Sequence, residues 1–96
     1  MTINQLREKL EYAEAARLAI DQAEREGWGS TALDQAFNRY AERVCEAAAV
    51  HCAVMGQPGY DKHVAKRHMP YPLLVTAEAW MRRGLARLEE GSSANN

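Results

Sequence analysis

An all-α fold is what the 96-residue sequence predicts: an antiparallel bundle of three long helices, with a long irregular or short-helical connection before the last one. Two observations carry this. Apolar residues recur every three or four positions over 3–26, 32–55 and 73–90, as they do on one face of an α-helix. Glycines 27, 56 and 91 stand where those patterns stop, as residues able to end a helix in the left-handed conformation. A single domain over 1–91 and a disordered tail over 92–96 follow from this division.

The first helix opens at Thr2, which with Gln5 fits a capping box. Ile3, Leu6, Leu10, Ala13 and Ile20 form its stripe. Arg17 falls inside that stripe, either as a stem reaching out to water at the edge or as a charge paired with a carboxylate of another helix. A second, shallower strip collects Tyr12, Ala15, Ala16, Ala19 and Ala23, with Leu18 further round. Two strips on one helix point to a self-association or docking face, or to an ordinary wide core contact. Gly27 then ends the helix, and Trp28 folds back towards Ala23.

Ser30 or Thr31 is expected to cap the central helix, Thr31 with Asp34 resembling a capping box with a shorter acid. The short connection makes the first two helices antiparallel neighbours. Thr31 to Gly56 is the most apolar continuous segment of the chain. It places Leu33, Phe37, Tyr40, Val44, Ala47, Ala48, His51 and Met55 on one stripe and Asp34, Gln35, Asn38, Arg39, Glu42, Arg43 and Glu46 opposite. From Ala47 to Met55 it is apolar all round except for His51, which implies burial on more than one face. The run is too short to cross a bilayer.

Residues 57–71 change character and are long for a link between helices. Asp61 is placed to cap one or two turns through His68, and such a length leaves the direction of the last helix open. Pro72 suits a first helical position. Leu73, Leu74, Ala77, Trp80, Met81, Gly84, Leu85 and Leu88 then make one broad stripe, with Glu78, Arg82, Arg83, Arg87, Glu89 and Glu90 outside it. Gly84 within the stripe costs about 1 kcal/mol of helix propensity, which suggests close packing against another backbone. Gly91 is expected to stop the helix.

Composition narrows the function. With 47% hydrophobic and 26% charged residues the chain reads as globular, and a net charge of −1 gives no global attraction to nucleic acid or membrane. Its first residues lack the uninterrupted apolar stretch of a secretory signal, so a cytoplasmic location is the expectation. Cys45 and Cys52 lie seven positions apart on one helix, about 10.5 Å at ~1.5 Å per residue, too far for a disulfide or a shared tetrahedral zinc. They read as buried reduced thiols.

No catalytic or cofactor motif emerges. Gly27, Trp28 and Gly29 lack the strand, further glycines and lysine of a phosphate loop. His63 and His68, five apart, do not face one way on a helix, and His51 reads as a core histidine bonded to a carbonyl or to Tyr40 or Tyr12. The expectation is therefore no enzyme, no cofactor and no metal. Charge is uneven, however. Residues 1–26 hold six acids and four bases, net −2, whereas 57–72 hold Asp61 against Lys62, Lys66 and Arg67, net +2.

A non-enzymatic helical protein that occupies a surface of another macromolecule, most simply a protein, fits these features. The expected contacts are Tyr60, Lys62, His63, Lys66, Arg67 and Tyr71 on the loop, with Tyr12, Leu18 and Trp28 as apolar anchors. The alternative is a binder of nucleic acid or a phosphorylated ligand through the basic loop 60–71, recognisable by steep salt dependence. A homodimer fits the surplus apolar face of the first helix. In size and helical build, though in no motif, the chain resembles the short proteins that phages encode against host defences, anti-CRISPR inhibitors among them. That resemblance implies a host protein complex as the partner.

Overall fold

A computed structural model describes residues 2–56 and 70–94, and the side chains up to Gly91. Helix α1 spans Ile3–Glu26. Its capping box forms as expected: the Thr2 hydroxyl accepts the Gln5 N–H at 3.2 Å, and Gln5 Oε1 accepts the Thr2 N–H at 2.8 Å. The helix ends at Gly27, whose φ of 71° is left-handed. From there the N–H groups of Gly27 and Trp28 reach the carbonyls of Glu24 and Ala23 at 3.2 and 3.0 Å, satisfying two terminal acceptors.

Helix α2 spans Ser30–Met55. Gly29 occupies the capping position without a side-chain cap bond, so neither Ser30 nor Thr31 caps the helix and the Thr31–Asp34 box does not form. The reason is register: the Gly29 carbonyl already accepts the Leu33 N–H at 3.0 Å, which puts Ser30 and Thr31 inside the first turn.

Helix α3 spans Tyr71–Ala94, beginning two residues earlier than expected. The Pro70 carbonyl accepts the N–H groups of Leu73 and Leu74 at 3.0 and 3.1 Å. Pro72 stands in the first turn, where its missing N–H costs no bond. Gly91 does not stop the helix, and 92–94 are helical rather than a disordered tail. A glycine terminates a helix by adopting positive φ, and among the described residues only Gly27 and Gly56 do so. Within the helix Gly91 costs only about 1 kcal/mol of propensity.

Contacts along the helices fix their directions. Lys9 pairs with Glu46 at 3.6 Å and the Arg43 guanidinium lies 5.6 Å from the centre of the Tyr12 ring, so α1 and α2 run in opposite senses. Arg7 meets Glu89 at 3.5 Å and Arg17 meets Glu78 at 3.0 Å, so α1 also runs counter to α3. Phe37 packs on Tyr71, Tyr40 bonds Glu78, and His51 lies against Trp80. Helices α2 and α3 therefore run the same way, a direction that the loop length had left open.

The core gathers Leu6, Leu10, Ala13, Ile20, Tyr40, Val44, Ala47, Leu74, Met81 and Leu85. Helices α1 and α2 share the most extensive contact, and small residues are buried on both, Ala13, Ala16 and Ala23 on one and Ala41 and Ala47 on the other. The second strip of α1 is thus divided: Ala16 and Ala23 are buried, whereas Tyr12, Ala15, Leu18 and Ala19 are exposed. On α3 the stripe is rotated from its expected place. Leu73 and Trp80 are 54% and 52% exposed, while Glu78, expected outside, is 2% exposed. Met55 at the end of α2 is also exposed.

Gly84 does not meet another backbone. A Cβ there would lie 3.1 Å from His51 Nε2 and 3.5 Å from Met55 Cε, so the glycine makes room for side chains of α2. Cys45 is buried and Cys52 half-buried, and neither is in a disulfide. Among the described residues no helix is long and apolar enough to cross a membrane.

Candidate functional site

The ionisable centre of the molecule is buried. Glu78 Oε1 accepts the Tyr40 hydroxyl at 2.7 Å and Arg17 Nε at 3.0 Å, and Oε2 accepts Arg82 Nε at 2.9 Å. Arg82 also donates to the Leu10 carbonyl at 3.0 Å, and Glu14 lies 3.5 Å from Arg82 and 3.9 Å from Arg17. Arg17 is therefore the paired charge, not merely a stem at the stripe's edge. Burial alone pushes the Glu78 carboxyl up, but the bonds from Tyr40, Arg82 and Arg17 outweigh it and hold the pKa below its ordinary value. Tyr40 is shifted upward, first by burial and then by its bond to the Glu78 carboxylate. Both carboxylate oxygens of Glu78 and the Tyr40 hydroxyl are bonded to other members of this cluster, which is the arrangement of a structural tie.

His51, outside this cluster, is also buried at 2% exposed, and burial lowers its pKa. The Tyr40 and Tyr12 hydroxyls donate to Glu78 and Glu8, so neither is the donor expected for it. Among the described residues no group of three or more His, Cys, Asp and Glu side chains is arranged to hold a metal.

Of the expected contact residues, Tyr60, Lys62, His63, Lys66 and Arg67 lie outside the described residues. Tyr71 belongs to the first turn of α3 rather than to a loop. Its ring stands edge-on to Phe37 at 5.2 Å and 5.7 Å from Tyr40, so it is half-buried packing rather than an open stacking platform. Tyr12, Leu18 and Trp28 are 46%, 51% and 45% exposed. They do not form one patch. Trp28 donates its indole N–H to Glu26 and, with Ala16, Ala19, Ala32, Ala36 and Arg39, lines a shallow groove between α1 and α2. Leu18, at 100° per residue, stands about 120° round α1 from Tyr12.

The surface that the pattern did not reveal lies on α3. Two series with alternating spacings of three and four run along this helix. Leu74, Glu78, Met81, Leu85 and Leu88 face the core, and Leu73, Thr76, Trp80, Arg83 and Arg87 face outward. At 100° per residue the two are roughly 140° apart. The Trp80 ring leans on His51 at 4.7 Å, which fixes one side of the indole and leaves the other to solvent. Met55, whose methyl covers Gly84, extends the apolar area from α2. The broad stripe in the sequence held a clue, since it contained both Leu73 and Leu74, and both Trp80 and Met81, whereas one helix contact needs only one of each pair.

Comparisons of the chain with protein-family models, with curated proteins and with solved structures found no match.

Proposed function

We propose that the chain is a non-enzymatic helical binding protein that occupies a surface of another protein. One observation carries the reading: Tyr12, Leu18, Trp28, Met55, Leu73 and Trp80 all stay exposed on a body whose core is closed without them. Tryptophan and tyrosine dominate interface energetics because they bury large rigid areas. The absence of chemistry is part of the proposal: Tyr40, Arg17 and Arg82 all bind the buried Glu78 carboxylate, and His51 is packed against Gly84 and Trp80. Inhibition of a host defence complex, the role suggested by size and build, is one form of this function.

The test is affinity capture from the source cell with the native chain, a Trp28→Ser/Trp80→Ser variant and a Lys62→Ala/Lys66→Ala/Arg67→Ala variant, each checked for helicity by circular dichroism. The proposal expects a protein partner that is lost with the tryptophans and kept at moderate salt. Retention of every partner by the tryptophan variant would sink it. Recovery of nucleic acid that is lost with the basic residues and with rising salt would favour the alternative binder instead.

A further inference from the structure

Resting on the protein-binding reading above, we propose that the outward series of α3, Leu73, Thr76, Trp80, Arg83 and Arg87, is a docking seam for an acidic amphipathic helix of the partner. The spacing is that of a helix-pairing seam, two heptads long and about 21 Å from Leu73 to Arg87 at ~1.5 Å per residue. Its chemistry is divided along its length. The first half offers Leu73 and Trp80, with Met55 alongside, and no exposed carboxylate. Thr76 turns its hydroxyl to the Pro72 carbonyl at 3.0 Å, which leaves its methyl for an apolar neighbour.

The second half is cationic. Arg82 is engaged by Glu78, Glu14 and the Leu10 carbonyl, but no carboxylate of a described residue lies within 4.0 Å of Arg83 or Arg87. Glu89, the acid nearest in sequence to Arg87, is paired with Arg7 on α1, and the exposed Glu90 makes no ion pair with either arginine. A complementary helix presents apolar residues against Leu73 and Trp80 and carboxylates one heptad further against the two guanidiniums. An uncharged helix would leave both arginines unpaired, and a basic one would be repelled.

A second copy of the chain is a poorer occupant. Its acidic face, Glu8 and Glu11 beside Leu18 on α1, is exposed. However, Arg82 and Glu89, through which α3 meets α1, lie about 160–180° round the helix from Trp80. The seam therefore points away from α1, and pairing it with the acidic face of another copy joins two different surfaces, which would build an open chain of copies rather than a closed dimer.

The experiment selects random 20-residue displayed peptides on the full-length protein, then measures the enriched peptides against the native chain, Arg83→Glu/Arg87→Glu and Arg83→Gln/Arg87→Gln. The expected pool has apolar residues at helical spacing with Asp or Glu gathered at one end. Affinity should fall about tenfold or more in the Glu variant and less in the Gln variant. Replacing the peptide acids with Lys should restore binding to the Glu variant. Equal binding to all three proteins would overturn the seam while leaving the protein-binding reading intact, since the peptides would then occupy another surface. A pool without acids, or no enrichment at all, would also overturn it. Concentration-dependent growth of the native chain in sedimentation, abolished by Arg83→Glu/Arg87→Glu, would assign the seam to a second copy and overturn the partner named here.

Discussion

Where α1 meets α2, the buried side chains are mostly small or aliphatic, Leu6, Leu10, Ala13, Ala16, Ile20 and Ala23 on one helix and Ala41, Val44 and Ala47 on the other. Where α3 meets both of them, a carboxylate, a phenol and two guanidiniums sit at the centre, with a glycine making room for an imidazole beyond. The first contact is held by apolar burial and close approach, which tolerate small shifts. The second has one solution. Glu78 meets Tyr40 of α2, Arg17 of α1 and Arg82 of its own helix only in a single register, and sliding α3 by a residue would leave an ion buried without partners. The hairpin supplies cohesion, and the cluster decides where the third helix sits.

Breaking the hairpin should have the largest effect. Ile20→Ala, at a fully buried site, should cost about 4 kcal/mol in urea denaturation, equally at pH 7 and pH 5. An effect below about 1 kcal/mol would show that the α1–α2 contact is not the main source of cohesion.

Removing the cluster's centre comes next. Glu78→Ala should cost about 3 kcal/mol at pH 7, the lower end for a broken buried pair because Arg17 and Arg82 are partly exposed and can turn to water. This loss should also depend on pH. Glu78 is held below its ordinary pKa, so the unfolded chain takes up the proton first. The stabilisation is complete above the unfolded value near ~4.3 and disappears as pH falls through the folded one. The acid limb of native stability should accordingly be shallower in Glu78→Gln, and identical limbs would remove Glu78 from the account.

Gly84→Val tests the far end of the same seat. The added side chain meets His51 Nε2 at the 3.1 Å already taken by a Cβ, and overpacking of that kind should cost about 2 kcal/mol. It should also alter the fluorescence of Trp80, which rests on His51. No change in either would mean that α2 and α3 part easily there. The smallest effect belongs to His51 itself. Burial lowers its pKa, so the unfolded chain binds the proton first, and stability should decline as pH drops below about 6.5. The difference between native and His51→Gln melting temperatures over pH 5–7 isolates this contribution, and a constant difference would refute it.

Much of the architecture was legible. Thr2 with Gln5, Gly27 and Gly56 mark helix ends through chemistry confined to a few neighbouring residues, and they act as their residue types require. Gly91 misled because the same residue is also tolerated inside a helix, where nothing forces positive φ. Leu73, Trp80 and Glu78 misled for a different reason. Periodicity gives the width of an apolar stripe but not its bearing, and a charged residue at 3–4 spacing looks like surface until its partners on other helices are known. Arg17 posed the same question in reverse, and its answer lay 61 positions away at Glu78. The apolar anchors Tyr12, Leu18 and Trp28 were identified individually, yet their dispersal around α1 and the turn became visible only in three dimensions.

By itself, then, the sequence determined the fold class, the three helical segments and most of their ends, because helix formation and capping act over about one turn of chain. Tertiary structure alone decided that α3 runs with α2, that two partly exposed arginines close on a buried acid, and that Trp80 faces water. Those outcomes depend on which partners lie across the bundle, and packing energies between distant residues leave no mark on local spacing.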